Sequence, residues 1–102
     1  MRKLQVDVRE TEVADFCRKH HIRKLSVFGS ATRPDFQPES DIDLLVEFED
    51  GQSPSLAGMA ELQEGFSKLF GGRRVDVATP SILRNPYRRR AILKDLENLY
   101  AA

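Results

Sequence analysis

The 102-residue chain contains a single cysteine, Cys17, no long apolar run and no excess of either charge. One cysteine excludes an internal disulfide framework and any metal site built from several cysteines. No run approaches the roughly 18 consecutive apolar residues that span a bilayer, and no signal-peptide core follows Met1. The sequence also lacks repeats and linkers long enough to separate domains. We therefore expect one cytoplasmic domain over residues 1–102, with no membrane association.

The formal net charge of zero conceals an uneven distribution of charge along the chain. Residues 1–30 carry seven basic and four acidic side chains, residues 31–64 carry one and nine, and residues 65–102 carry eight and three. An acidic middle between basic ends is suited to holding a divalent cation beside a polyanionic ligand. A surface of uneven charge without that role is the alternative.

The hydrophobic spacing alternates between helical and extended patterns. A capping-box-like start at Asp7 and Glu10 opens the first helix. Helices are predicted over about residues 8–20, 53–70 and 86–95, and strands over residues 24–28, 41–48 and 74–78. Residues 96–100 fit either a longer last helix or an edge strand. This order predicts an α/β (α+β) fold in which helices cover a small mixed sheet.

Gly29 and Ser30 end the first predicted strand. Glycine lets the backbone approach an oxygen-rich ligand closely, and the N–H groups that follow can form an anion-binding concavity. The Ser30 hydroxyl can donate a hydrogen bond to a phosphate oxygen. An ordinary turn explains the same two residues.

Asp41 and Asp43 open the second predicted strand. Alternate residues of a strand share a face, so both carboxylates point to the same side, about 7 Å apart along the chain. Aspartate is a poor strand former, and the two charges repel. A divalent cation would neutralise the pair, since Mg²⁺ binds one or two carboxylates together with substrate phosphates. Two solvated aspartates are the alternative.

Asp76 lies between two valines of the third predicted strand. It faces away from both valines and is expected to meet the Asp41/Asp43 face across the sheet. Three carboxylates beside a Gly-Ser phosphate cradle would suit two-metal phosphoryl chemistry. An edge-strand charge that blocks aggregation is the alternative explanation.

The whole pattern resembles the minimal nucleotidyltransferase family of the DNA polymerase beta-like nucleotidyltransferase superfamily. The likeness is carried by Gly29-Ser30, ten intervening residues, Asp41-Ile42-Asp43 and a later apolar-Asp-apolar strand at Asp76. It extends over nearly the whole chain. It implies the nucleotidyltransferase fold and a Mg²⁺-dependent transfer of a nucleotidyl group from a nucleoside triphosphate, with ATP as the expected donor, and release of pyrophosphate.

The resemblance also implies residue roles. Gly29 and Ser30 would bind the triphosphate, and Asp41 and Asp43 would bind metal. Asp76 would help to hold the catalytic metal and accept the acceptor's proton. Arg33 matches a basic residue that reaches a phosphate in the family. The family often has glycine after that arginine, whereas this chain has Pro34, which stiffens the loop.

A chain of this length leaves no separate domain for an acceptor, so the acceptor is expected on another chain. Proteins similar to this one pair with a helical HEPN-domain toxin, act as its antitoxin and adenylylate it on a tyrosine hydroxyl. Two alternatives stay open: an antitoxin that neutralises its partner by binding alone, and a nucleotidyltransferase acting on a small molecule such as an antibiotic. The latter would need a pocket at the interface of a homo-oligomer. Nucleic-acid recognition is not expected, because Arg88-Arg89-Arg90 has no interleaved aromatic residues.

Overall fold

The part of the chain that the structure describes contains three α-helices, one short 3-10 helix and four strands. The computed structural model describes residues 9–29 and 41–102. In chain order the elements are α1 (Glu10–Lys19), β1 (Ile22–Phe28), β2 (Ile42–Phe48), α2 (Leu56–Leu69), β3 (Val75–Ala78), a 3-10 helix (Pro80–Arg84), α3 (Pro86–Asp95) and β4 (Glu97–Ala101). Within the described ranges, every helix is too short or too polar to cross a bilayer.

The four strands form one mixed sheet in the order β3-β2-β1-β4. The central strand β1 is antiparallel to both β2 and β4, whereas β2 and β3 run parallel and are connected through α2. A parallel pair requires such a crossover, because a tight turn can join only antiparallel strands. The predicted α/β architecture with a small mixed sheet is confirmed.

One face of the sheet forms the hydrophobic core with α1 and α2. The twelve residues of this core cluster are all buried: Val13, Cys17, Ile22, Leu25, Val27, Ile42, Leu44, Val46, Leu62, Phe66, Phe70 and Val75. On β2 the cluster takes alternate positions, so Asp43 and Glu47 project from the opposite face. The alternation of β2 therefore divides the sheet into an apolar face and a face that carries carboxylates.

Two helix starts differ from the sequence prediction. Helix α1 begins at Glu10, two residues later than predicted, and its N-cap is Arg9, which makes no side-chain capping bond. Asp7 of the predicted capping box lies outside the described residues. Helix α2 begins at Leu56, three residues later than predicted. Its N-cap is Ser55, whose hydroxyl accepts a hydrogen bond from the Gly58 N–H at 3.2 Å. The helix begins there because an extended N-cap residue directs its oxygen at the first free N–H groups.

The chain after α3 is an edge strand, which decides between the two alternatives for residues 96–100. Leu96 has extended backbone angles (φ −70°, ψ 127°) and ends α3. The following strand pairs with β1, with Glu97 opposite Val27 and Tyr100 opposite Leu25. The polar backbone groups of this segment are thus satisfied by the sheet instead of by a longer helix.

Cys17 is expected to be chemically inert in the native protein. Its side chain is 0% exposed, and burial raises the pKa of its thiol to about 12. Because the thiolate is the nucleophile, a disulfide reagent at pH 8 should leave the folded chain unmodified and should label one thiol per chain in guanidinium chloride. Rapid stoichiometric labelling in native buffer would contradict the burial of Cys17.

Candidate active site

Gly29 ends β1 in a backbone conformation that other residues rarely adopt. Its φ is +74°, and a Cβ atom at this position would lie 2.5 Å from the Oδ2 atom of Asp43. Only glycine avoids both the left-handed strain and this overlap. The end of β1 is therefore a bend whose backbone lies directly against the Asp43 carboxylate.

Asp43 and Asp76 are direct neighbours on parallel strands. The pairing of β2 with β3 sets Asp43 opposite Asp76, and Ile42 opposite Val75 in the core. Adjacent strands are about 4.8 Å apart, and paired residues in register project from the same face. Asp43 is half-buried and Asp76 is exposed. The sheet thus brings together two of the three predicted carboxylates, as their strand pattern indicated.

The third carboxylate, Asp41, lies beside a basic residue. Asp41 precedes β2 and has a side chain 36% exposed, and its Oδ1 atom is 3.9 Å from the Nε of Arg74. The backbone holds the two segments together, since the Ile42 N–H donates to the Arg74 carbonyl at 2.9 Å. Arg74 is largely exposed, so this ion pair is loose and screened by solvent. This loose pairing leaves the Asp41 carboxylate accessible to a divalent cation, which would bind it more strongly than the Arg74 guanidinium does.

The carboxylate face fits a magnesium ion that is bound jointly with a substrate. No group of three or more acidic, histidine or cysteine side chains in residues 9–29 and 41–102 can by itself hold a metal ion. Mg²⁺ does not require such a cage, because it is commonly bound by one or two carboxylates and substrate phosphates. The juxtaposed Asp43 and Asp76 offer hard oxygen atoms that could serve as ligands, and a cation between them would relieve their repulsion.

A cavity of about 350 Å³ opens beside the glycine bend. It is lined by Phe28, Gly29 and Asp43 from the sheet, and by Ala91, Ile92, Lys94 and Asp95 from the last two turns of α3. Ile92 is only 5% exposed, which anchors this end of α3 to the protein. The apolar walls and a few convergent polar groups are typical of small-molecule sites.

Two of the predicted nucleotide-binding residues, Ser30 and Arg33, lie outside the described residues, as does Pro34. Their roles, and a helical turn after Ser30, stay predictions. Of the predicted site, the structure therefore describes Gly29, which lies against a carboxylate, and the three aspartates Asp41, Asp43 and Asp76.

Two basic residues near this site, Arg74 and Lys94, were not predicted from the sequence. Strand alternation places Arg74 on the face of Asp76, two positions later, but its position beside Asp41 follows only from the parallel register of β2 with β3. Lys94 gave no such signal, because its place at the cavity depends on how α3 packs on the sheet.

Comparison with known proteins agrees with this geometry. The family model described as a nucleotidyltransferase domain matches residues 10–98. A relative from Methanocaldococcus jannaschii, named "Putative protein adenylyltransferase MJ1379", is 34% identical over an alignment of 94 residues. The match covers 84% of this chain and 93% of that protein. The family model therefore spans the described residues of the candidate site, the strands β1, β2 and β3 and the first two residues of β4.

Solved structures share the same fold. One, named "Structure of putative minimal nucleotidyltransferase", has a TM-score of 0.67 and 32% identity and covers 87% of both chains. A second, a toxin-antitoxin crystal structure with AMP-PNP, has a TM-score of 0.69 and 18% identity over 93% of this chain and 75% of its own. The second likeness concerns the fold alone. The glycine bend, the paired carboxylates and the match over residues 10–98 lead to one conclusion: the chain belongs to the nucleotidyltransferase family.

Proposed function

We propose that this nucleotidyltransferase transfers AMP from ATP to a hydroxyl group of a partner protein, and that it is the antitoxin of a pair whose toxin is a HEPN-domain protein. The observation that carries the proposal is the Gly29 backbone packed against Asp43, which is itself in register with Asp76. The relative named as a protein adenylyltransferase and the toxin-antitoxin structure of the same fold support the choice of donor and acceptor. Because ATP is the proposed donor, we place the reaction in the cytoplasm.

The proposed reaction is a substitution at the α-phosphorus of ATP. The acceptor's hydroxyl oxygen forms a bond to that phosphorus, the bond to the oxygen bridging the α- and β-phosphates breaks, and pyrophosphate leaves with the electron pair. When bound, Mg²⁺ would supply charge neutralisation of the phosphates and of the attacking oxygen. Asp41, Asp43 and Asp76 would hold it.

The residues of this chain have distinct tasks in that reaction. The glycine bend, with Ser30, is proposed to receive the triphosphate, because its backbone admits close approach of phosphate oxygens. Asp76 is more exposed than Asp43 and can accept the proton that the acceptor's hydroxyl loses. Arg33 is proposed to contact a phosphate.

The proposal is tested by label transfer. The purified chain is incubated with the product of the neighbouring gene, MgCl₂ and ATP labelled at the α-phosphate. We expect label on the partner, and none when the γ-phosphate carries the label, because pyrophosphate is the leaving group. Labelling from the γ-phosphate would identify a kinase instead, and an unlabelled partner in both reactions would exclude protein adenylylation of this partner.

A further inference from the structure

Among the described residues that line the cavity beside Gly29, one is basic, Lys94. Asp43 and Asp95 line the same cavity, so its described walls carry two acidic side chains and one basic side chain. A nucleoside triphosphate brings several further negative charges. A cationic group of the protein, in addition to a metal ion, would stabilise such a ligand by charge-assisted hydrogen bonds to its phosphates.

Lys94 is held at the cavity by the elements on both sides of it. Two residues earlier, Ile92 is buried at 5% exposure, and three residues later Glu97 pairs with Val27 of the central strand. Lys94 is thus not on a free helix end. It lies in the last turn of α3, where a positive charge also interacts favourably with the helix dipole.

The ammonium group of Lys94 is not committed to a structural ion pair. The ion pairs between described residues involve Arg18, Arg23 and Arg74. Within residues 9–29 and 41–102, Lys94 has no carboxylate partner, although two carboxylates line the same cavity. Lys94 is therefore an exposed cation without a structural partner among the described residues, and it lines the same cavity as Gly29. Such a residue is suited to contact a ligand.

We infer that Lys94 is a substrate-binding residue that contacts the polyphosphate chain of the nucleotide in the cavity between the end of β1 and the last turn of α3. The inference deepens the proposed function and rests on it. Lysine acts on a phosphate as a compact point charge with three donors, so it tolerates different phosphate positions along the chain.

Nucleotide affinity tests the inference without relying on turnover. Binding of Mg-AMP-PNP and of adenosine is measured for the wild type and for Lys94→Gln, Lys94→Arg and Arg90→Gln. Arg90 is exposed one turn earlier on the same helix and does not line the cavity, so its variant is the matched control. Because a hydrogen bond to a charged group is strong, we expect Lys94→Gln to weaken AMP-PNP binding about 10-fold or more.

The other arms separate a phosphate contact from a general effect. Adenosine affinity should be unchanged in Lys94→Gln, Lys94→Arg should recover part of the AMP-PNP affinity, and Arg90→Gln should bind like the wild type. Unchanged AMP-PNP affinity in Lys94→Gln, or an equal loss in Arg90→Gln, would overturn the inference.

Failure of the proposed function is distinguishable from failure of this inference. If the wild type does not label its partner but Lys94→Gln still loses AMP-PNP affinity, the acceptor is wrong and the phosphate contact stands. If the partner is labelled and Lys94→Gln has wild-type affinity, only the role of Lys94 is wrong.

Discussion

Replacing Asp43 by Asn is expected to reduce AMP transfer to the partner by about 100-fold or more, because losing even a supporting group of a metal site costs roughly 10- to 100-fold. The amide keeps the shape of the carboxylate and removes the charge that would hold the metal ion opposite Asp76. The initial rate of label transfer from α-labelled ATP measures the effect. The double variant Asp41→Asn with Asp43→Asn should lose metal-dependent nucleotide binding as well as transfer.

Glu47→Gln is the matched control for this experiment. Glu47 projects from the same face of β2, four residues beyond Asp43, and pairs with Arg23 at 3.1 Å instead of facing the glycine bend. Its variant removes one negative charge from the same strand and should retain transfer. Equal activity in Asp43→Asn and Glu47→Gln would refute the assignment of the site to this end of the sheet.

The double variant Asp41→Asn with Asp43→Asn also distinguishes an antitoxin that modifies its partner from one that neutralises it by binding alone. A chain that neutralises its toxin by modification should lose protection of the host cell along with label transfer. Protection that persists without label transfer would show that binding of the partner is sufficient, which is the alternative that the sequence left open.

Replacing Gly29 by Ala is expected to lower AMP transfer at least 10-fold and to destabilise the fold. The left-handed backbone alone costs a residue with a Cβ atom about 1–2 kcal/mol. The new Cβ would also lie 2.5 Å from the Asp43 Oδ2 atom, so the carboxylate must shift from its position beside Asp76. Thermal unfolding measures the free-energy loss, and label transfer measures the displacement of the carboxylate.

Gly51→Ala separates the two causes of that loss. Gly51 has the same φ of +74°, but a Cβ atom there would meet nothing within 4 Å. This variant should lose the same backbone contribution to stability and keep normal transfer. The close approach of Gly29 to the carboxylate would be irrelevant to activity if the two glycine variants transferred AMP equally well.

The sequence was informative wherever local pattern and chemistry coincide. The alternation of β2 predicted that Asp41 and Asp43 share a face, and the structure buries Ile42 and Leu44, at the alternate positions beside Asp43, in the core. The unusual presence of an aspartate between valines predicted that Asp76 would face the same side. In each case the alternation of side chains along one strand is sufficient for the prediction, because it separates the residues of that strand into two faces before any partner strand is known.

Features that depend on the packing of distant segments were not predictable in this way. The neighbour of Asp41 is Arg74 only because β2 and β3 are parallel in one particular register. Lys94 lines the cavity because α3 is tied down by buried Ile92 and by the pairing of β4. Even the choice of Ser55 instead of Ser53 as the N-cap of α2 depends on which hydroxyl reaches a free N–H group of the helix.

The parallel pairing of β2 with β3 has a consequence for how the enzyme acquires activity as it folds. Antiparallel strands can be joined by a tight turn, but the pairing that sets Asp43 opposite Asp76 needs a crossover connection, which here contains the 14-residue helix α2. Contacts between segments far apart along a chain close slowly, since more conformational entropy is lost before they form. Chains in which β3 has not yet paired with β2 would consequently have an incomplete set of acidic ligands, and adenylylation would begin only once this pairing is made.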